Sequence, residues 1–110
     1  MEITTQAIDE LVAVIRGDGR LNMVSAPLLR EAVAEAIASG RPRIVVDLSA
    51  VEFMDSSGLG ALVGCLKTAR QAGGDLRISA PSEQVVMVLQ LSNLDRILTS
   101  YATPEEAYRD

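Results

Sequence analysis

The sequence predicts an α/β domain: a mixed, mostly parallel sheet with right-handed βαβ crossovers and helices packed against it. Three observations carry this. Strand-like runs alternate with helical patterns along most of the chain. Arg43-Ile44-Val45-Val46-Asp47-Leu48 is nearly continuous aliphatic, as suits a strand covered on both faces. Two β-favouring runs precede the first helix with only a turn between them, so one hairpin opens the sheet. At 110 residues, with no linker, repeat or low-complexity stretch, the chain reads as one domain over 1–110.

The hairpin lies within Ile3 to Arg16 and turns at Asp9-Glu10, after which Gly17-Asp18-Gly19 is expected to break the strand. Ser25-Ala26-Pro27 starts a helix, serine accepting from a free amide and proline fitting the first turn. Leu29, Val33, Ala36 and Ile37 form its apolar face, and Gly40 and Pro42 end it. After the 43–48 strand and Asp55-Ser56-Ser57-Gly58, a second helix presents Leu59, Leu62, Val63, Leu66 and Ala69 inward. Its Lys67, Arg70 and Gln71 point away, and Gly73-Gly74 ends it. Leu76-Arg77-Ile78 is a short strand, and Pro81-Ser82-Glu83 opens a third helix with Val85, Val88, Leu89 and Leu91 on its buried face. Asn93 suits a left-handed cap, and Ile97-Leu98 is expected as the last strand. Thr103-Pro104-Glu105-Glu106 has the capping-box pattern of a final helix.

Composition excludes whole classes of chemistry. The chain has no histidine, so Ser-His-Asp and Cys-His catalysis, histidine metal ligands and histidine pH switches are all absent. A single cysteine, Cys65, allows neither an intramolecular disulfide nor a multi-cysteine zinc site, and reads as a packed core thiol. Ten basic residues against 15 acidic ones give a net charge of −5, which argues against direct nucleic-acid binding. No signal peptide or membrane-spanning run is evident, so a cytoplasmic protein without membrane insertion is expected. No metal or cofactor is called for.

One loop concentrates small and polar residues at a strand-to-helix junction: Phe53-Met54-Asp55-Ser56-Ser57-Gly58-Leu59-Gly60. In open α/β sheets ligands and partners gather at such ends, where free amides favour anions. The plainest reading is helix capping by Asp55 or Ser56. A dinucleotide fingerprint is suggested by Gly58-Leu59-Gly60 and Gly64, and with it a small nucleotide-binding enzyme. However, the acidic residue expected at the end of the next strand is missing, Asp75 standing at its start. A nucleophile elbow fails because Met54 or Asp55 stands where glycine is needed and no histidine exists. The fourth reading is a loop switched by serine phosphorylation.

The run Val45-Val46-Asp47-Leu48-Ser49-Ala50-Val51-Glu52-Phe53-Met54-Asp55-Ser56-Ser57-Gly58-Leu59-Gly60 resembles the signature of STAS domains. More narrowly, it resembles that of bacterial anti-sigma factor antagonists. Ser25-Ala26-Pro27-Leu28-Leu29-Arg30, Gln71-Ala72-Gly73-Gly74-Asp75-Leu76, Asn93-Leu94 with Ile97, and Thr103-Pro104-Glu105-Glu106-Ala107 extend the likeness over essentially the whole chain. The resemblance implies a non-enzymatic partner switch. The unphosphorylated protein binds an anti-sigma factor that is also a serine kinase, freeing the sigma factor. Phosphorylation of Ser56 (or, second, Ser57) releases it, and a PP2C-type phosphatase resets it. The implied partner surface is Arg20, Asn22, Met54, Asp55, Ser56, Ser57, Gly58, Leu59 and Gly60, on a protein that is monomeric when free. A related alternative is a STAS subunit of a transporter or lipid-trafficking complex that docks on an ABC-type ATPase.

Two departures stand out. The family commonly carries Gly-Glu-Leu-Asp before the first helix, where this chain has Gly19-Arg20-Leu21-Asn22. The usual glycine before Leu94 is Asn93. Met87 is expected in the core, while Met23 and Met54 suit either core or contact roles.

Overall fold

In a computed structural model, which describes residues 1–109, five strands form one sheet in the order β1-β2-β3-β4-β5. The strands are β1 (Glu2–Ala7), β2 (Val12–Leu21), β3 (Arg43–Met54), β4 (Asp75–Ser79) and β5 (Ser100–Tyr101). The helices are α1 (Ala26–Ala38), α2 (Ser56–Gln71) and α3 (Glu83–Leu91). β1 and β2 form the expected antiparallel hairpin, and every later pairing is parallel. Its turn is held by Asp9, whose carboxylate accepts from the amides of Leu11 at 2.8 Å and Val12 at 2.9 Å. The mixed α/β sheet read from the sequence is therefore the fold.

Sequential strand order means that each crossover advances the same way, so all three helices lie on one face. Their inward residues share a single core with the sheet: Leu29 and Val33 from α1, Leu62 and Leu66 from α2, Val85 and Leu89 from α3, Ile44, Val46 and Ile78 from the strands. The opposite face carries a much smaller cluster of Val12, Val14, Val45 and Ala107, with Tyr101 and Tyr108 packed against it. There the Tyr108 hydroxyl donates to the Ile44 carbonyl at 2.9 Å, and the Arg77 guanidinium lies 4.3 Å from the Tyr108 ring centre. Burial pushes the Tyr108 phenol above its ordinary range, Asp75 adding to the effect.

Several expectations are corrected. Gly17-Asp18-Gly19 does not end β2: the strand runs through it to Leu21, with register irregularities between Arg16 and Asp18 and between Gly19 and Arg20. The reason lies in β3, which extends to Met54 and supplies partners for Asp18 to Leu21, taking up one extra residue at each irregularity so that pairing continues past the glycines. The last strand is Ser100–Tyr101, and Ile97-Leu98 sits just before it, Leu98 buried and Ile97 exposed. The final helix is only a 3-10 turn over Pro104–Glu106, without a side-chain cap. Leu91 is 78% and Met87 52% exposed, because α3 is only nine residues long and turns just Val85 and Leu89 fully inward.

Local signals otherwise act as read. Gly40 takes a φ of +92° beyond α1 and Gly73 one of +85° beyond α2, where a side chain would be strained. Asn93 adopts φ 60°, a left-handed conformation that asparagine tolerates better than most other non-glycine residues. Cys65 is buried, and burial pushes its thiol up to about 11 despite the opposing Arg30 guanidinium.

Candidate functional site at the start of helix α2

The site forms where β3 ends and α2 begins. Beyond Asp47, β3 has lost β4 as a neighbour, because β4 ends at Ser79 opposite that residue. The gap is closed at Met54 by Gln84 of α3. Its side chain accepts from the Met54 amide at 2.9 Å and donates to the Met54 carbonyl at 2.9 Å, copying one rung of a strand ladder. Two such bonds contribute on the order of 1–3 kcal/mol together. The chain then leaves the sheet through Asp55, whose amide donates to the Leu21 carbonyl at 3.3 Å.

Asp55 caps α2. Its backbone is extended, and its carboxylate accepts from the Gly58 amide at 3.0 Å. Capping of this kind contributes about 1 kcal/mol and adds a negative charge at the positive end of the helix. Because Asp55 takes this role, Ser56 becomes the first helical residue, and its side chain is exposed. Ser57 is half-buried. Gly58 packs against β2: a Cβ there would lie 2.2 Å from the Leu21 carbonyl oxygen. Gly60 and Gly64, by contrast, face open space. The glycine pattern that imitates a dinucleotide fingerprint is thus explained at Gly58 by close packing of helix on strand.

The rim is the segment between β2 and α1. Arg20 is exposed, with its guanidinium 5.2 Å from the centre of the Phe53 ring, a cation–π contact across paired strands. Asn22 is half-buried, and its side-chain oxygen accepts from the amides of Val24 at 3.0 Å and Ser25 at 3.2 Å. An aspartate could accept both bonds equally, so the departure at Asn22 changes charge and leaves the turn intact. Ser25 stands at the N-cap of α1 as expected, but its side chain accepts from no α1 amide. It is buried with a right-handed backbone, and its hydroxyl donates to the Arg20 carbonyl at 2.7 Å and accepts from the Asn22 amide at 2.9 Å.

Of the nine residues expected on the partner surface, Arg20, Asn22, Asp55, Ser56, Ser57 and Gly60 are exposed or half-buried around this end. Met54, Gly58 and Leu59 are not available: all three are buried, Met54 completely, because the end of β3 is covered by α3 and the first turn of α2 faces the sheet. Met23, which suited either core or contact, falls on the contact side, and its neighbour Val24 was missed. Met23 is 73% and Val24 80% exposed on the same rim. A pair of apolar residues in an otherwise polar turn was the available signal. Gln84 was also missed, and no local pattern announces a side chain that pairs with backbone 30 residues away. Among the described residues, no group of His, Cys, Asp and Glu is arranged to hold a metal ion. Among the same residues, no helix is long and apolar enough to cross a membrane.

The family model for the STAS domain matches residues 2–107. The chain belongs to the STAS family. Within it, the anti-sigma-B factor antagonist of Bacillus subtilis is 32% identical over 87 residues, covering 79% of each chain. The protein TM1081 of Thermotoga maritima has a crystal structure similar to this STAS domain at a TM-score of 0.86, with 35% identity over 96% of this chain and 90% of that one. The anti-sigma factor antagonist SpoIIAA in its unphosphorylated form matches at a TM-score of 0.81 and 28% identity, covering 96% and 92%. SpoIIAA of Bacillus is also known in a phosphorylated form, matched at a TM-score of 0.75.

Proposed function

We propose that this STAS domain is an anti-sigma factor antagonist whose binding is switched off by phosphorylation of Ser56. It is a ligand and a substrate, with no catalytic residues of its own. The observation that carries the reading is the division of labour at the head of α2. Asp55 takes the cap and donates its amide to Leu21, and Ser56 stands exposed one residue later, while the segment around Leu21 exposes Arg20, Met23 and Val24. Relatives named as antagonists of anti-sigma factors, aligned over most of both chains, support it.

In this mechanism the unmodified surface docks on an anti-sigma factor with serine-kinase activity in the cytoplasm. Met23 and Val24 supply apolar contact, while Arg20 and Asn22 set the local charge. The kinase brings the nucleotide and transfers its phosphoryl group to the Ser56 hydroxyl, and a PP2C-type phosphatase removes it. The new charge of about −1.5 to −2 sits at a helix N-terminus, where free amides and the dipole tolerate it, so the fold survives. Against a packed partner surface the same charge must be desolvated without a counter-charge. Ser57 is the less favoured acceptor because it is half-buried.

Incubation with the cognate kinase and ATP, followed by mass spectrometry, should place the phosphate on Ser56. Binding to the kinase should then fall at least ~10-fold, about 1.4 kcal/mol, with little change in melting temperature. Ser56→Ala should bind and resist the kinase. Phosphate on Ser57 alone would overturn the site, and phosphate on neither serine would overturn the switch.

A further inference from the structure

The outer edge of β1 is unused by the fold. β1 pairs only with β2, and five of its six residues are exposed. The Ile8 amide donates to the Val12 carbonyl at 3.1 Å, in line with the register that pairs Gln6 with Val14 and Thr4 with Arg16. Hydrogen-bonding direction alternates along an antiparallel strand, so Glu2, Thr4 and Gln6 turn their backbone groups towards β2. Ile3, Thr5 and Ala7 therefore point their N–H and C=O groups outward, and no described residue pairs with them. The strand, Glu-Ile-Thr-Thr-Gln-Ala, has neither the lysine nor the proline that commonly blocks such an edge.

The ground beside this edge is shaped and charged. Between β1 and α1 runs a groove of about 330 Å³, lined by Met1, Ile3 and Thr5 on the strand side and Leu28, Glu31, Ala32 and Glu35 on the helix side. Leu28 is 44% exposed and both glutamates are exposed, so the groove has an apolar floor and an acidic wall. On the other face of β1, Glu105 lines a second groove, where Arg16 faces Asp47 at 3.9 Å. The Met1 ammonium offsets Glu2 at the start of the strand, and Glu31, Glu35 and Glu105 leave the net charge along the edge negative.

We propose that the β1 edge binds an extended basic segment of a partner protein, which adds to the sheet as a sixth strand next to β1. Backbone pairing with Ile3, Thr5 and Ala7 supplies the affinity, and alternate side chains supply the specificity. The positions over the α1 groove take an aliphatic residue against Leu28 and Ala32, flanked by Lys or Arg reaching Glu31 and Glu35. A second copy of this chain is the poorer occupant, because two-fold pairing would align the acidic walls of both copies along one seam. The edge is separate from the Ser56 end, so this inference does not depend on the switch.

The test uses the full chain and the synthetic peptide acetyl-TKTITKT-amide, followed by amide NMR and hydrogen exchange. Binding should slow exchange at Ile3, Thr5 and Ala7 and leave the α2 start unperturbed. The Glu-for-Lys peptide and the Glu31→Lys/Glu35→Lys protein should each bind the original partner at least ~10-fold more weakly. Thr5→Pro removes only an outward N–H, which an edge strand tolerates, and should abolish binding without lowering the melting temperature. If that variant unfolds, the charge reversals on the exposed α1 face carry the test alone. Equal affinity for the acidic peptide, shifts confined to the α2 start, or protection of the edge amides by self-association without peptide would each overturn the proposal.

Discussion

Adding one methyl group at Gly58 should damage this protein, and adding the same group two residues later should not. The Cβ of Gly58→Ala would meet the Leu21 carbonyl oxygen at 2.2 Å and the Leu21 Cγ at 2.8 Å. A backbone carbonyl inside a paired strand cannot step aside as a side-chain end can. The first turn of α2 must move off β2, straining the Asp55 amide bond to the same oxygen, 3.3 Å long. Overpacking of this kind costs about 1–3 kcal/mol, and the lost hydrogen bond about 1 kcal/mol more. Alanine's better helix propensity returns up to ~1 kcal/mol. The net loss is roughly 1–3 kcal/mol, or roughly 5–20 °C in melting temperature for a domain of this size. Gly60→Ala has the same propensity gain and meets no neighbouring atom, so it should be neutral or stabilise by up to ~1 kcal/mol. Urea unfolding and thermal melts of the two variants give the comparison. A Gly58→Ala protein as stable as the parent would refute the close-contact reasoning, and so would a Gly60→Ala protein that falls as far.

Gln84→Leu should lose roughly 1–3 kcal/mol and speed exchange of the Met54 amide. Gln84→Glu should also destabilise, since a carboxylate can accept from that amide but cannot donate to the Met54 carbonyl. The folded Cys65 thiol titrates near 11, above its ordinary 9.0, so it keeps a proton that the unfolded chain releases. Stability is therefore full below pH 9 and falls as pH rises towards 11; Cys65→Ala should flatten that decline in denaturation curves, and the native thiol should resist alkylation at pH 8. The double change Arg20→Glu with Asn22→Asp should alter kinase binding mainly in association rate and salt dependence, read by stopped-flow, because the Asn22 turn accepts an aspartate. Ala80 holds φ 50°, which costs a non-glycine residue about 1–2 kcal/mol; Ala80→Gly, losing ~0.5–1 kcal/mol in chain entropy, should melt up to a few degrees higher.

What the sequence by itself determined is what acts over a few neighbouring residues. Asp55 caps α2, Asn93 and Gly40 take left-handed turns, the 43–48 run is buried strand, and Ser56 heads a helix. Each follows from a contact or a backbone preference within one turn of chain, and histidine's absence is a matter of counting. Tertiary structure decided the rest. Whether β2 stops at Gly17-Asp18-Gly19 depends on whether β3 reaches far enough to pair beyond it, and it does. Whether Met54 is a contact residue or core depends on α3 coming back across the end of β3, with Gln84 closing the gap. Leu91 and Met87 were expected inside, yet lie outside because the short α3 turns only Val85 and Leu89 fully inward. Periodicity names the residues that share a face. Only the assembled sheet settles how much of that face is covered, because burial is a property of the neighbour as much as of the residue.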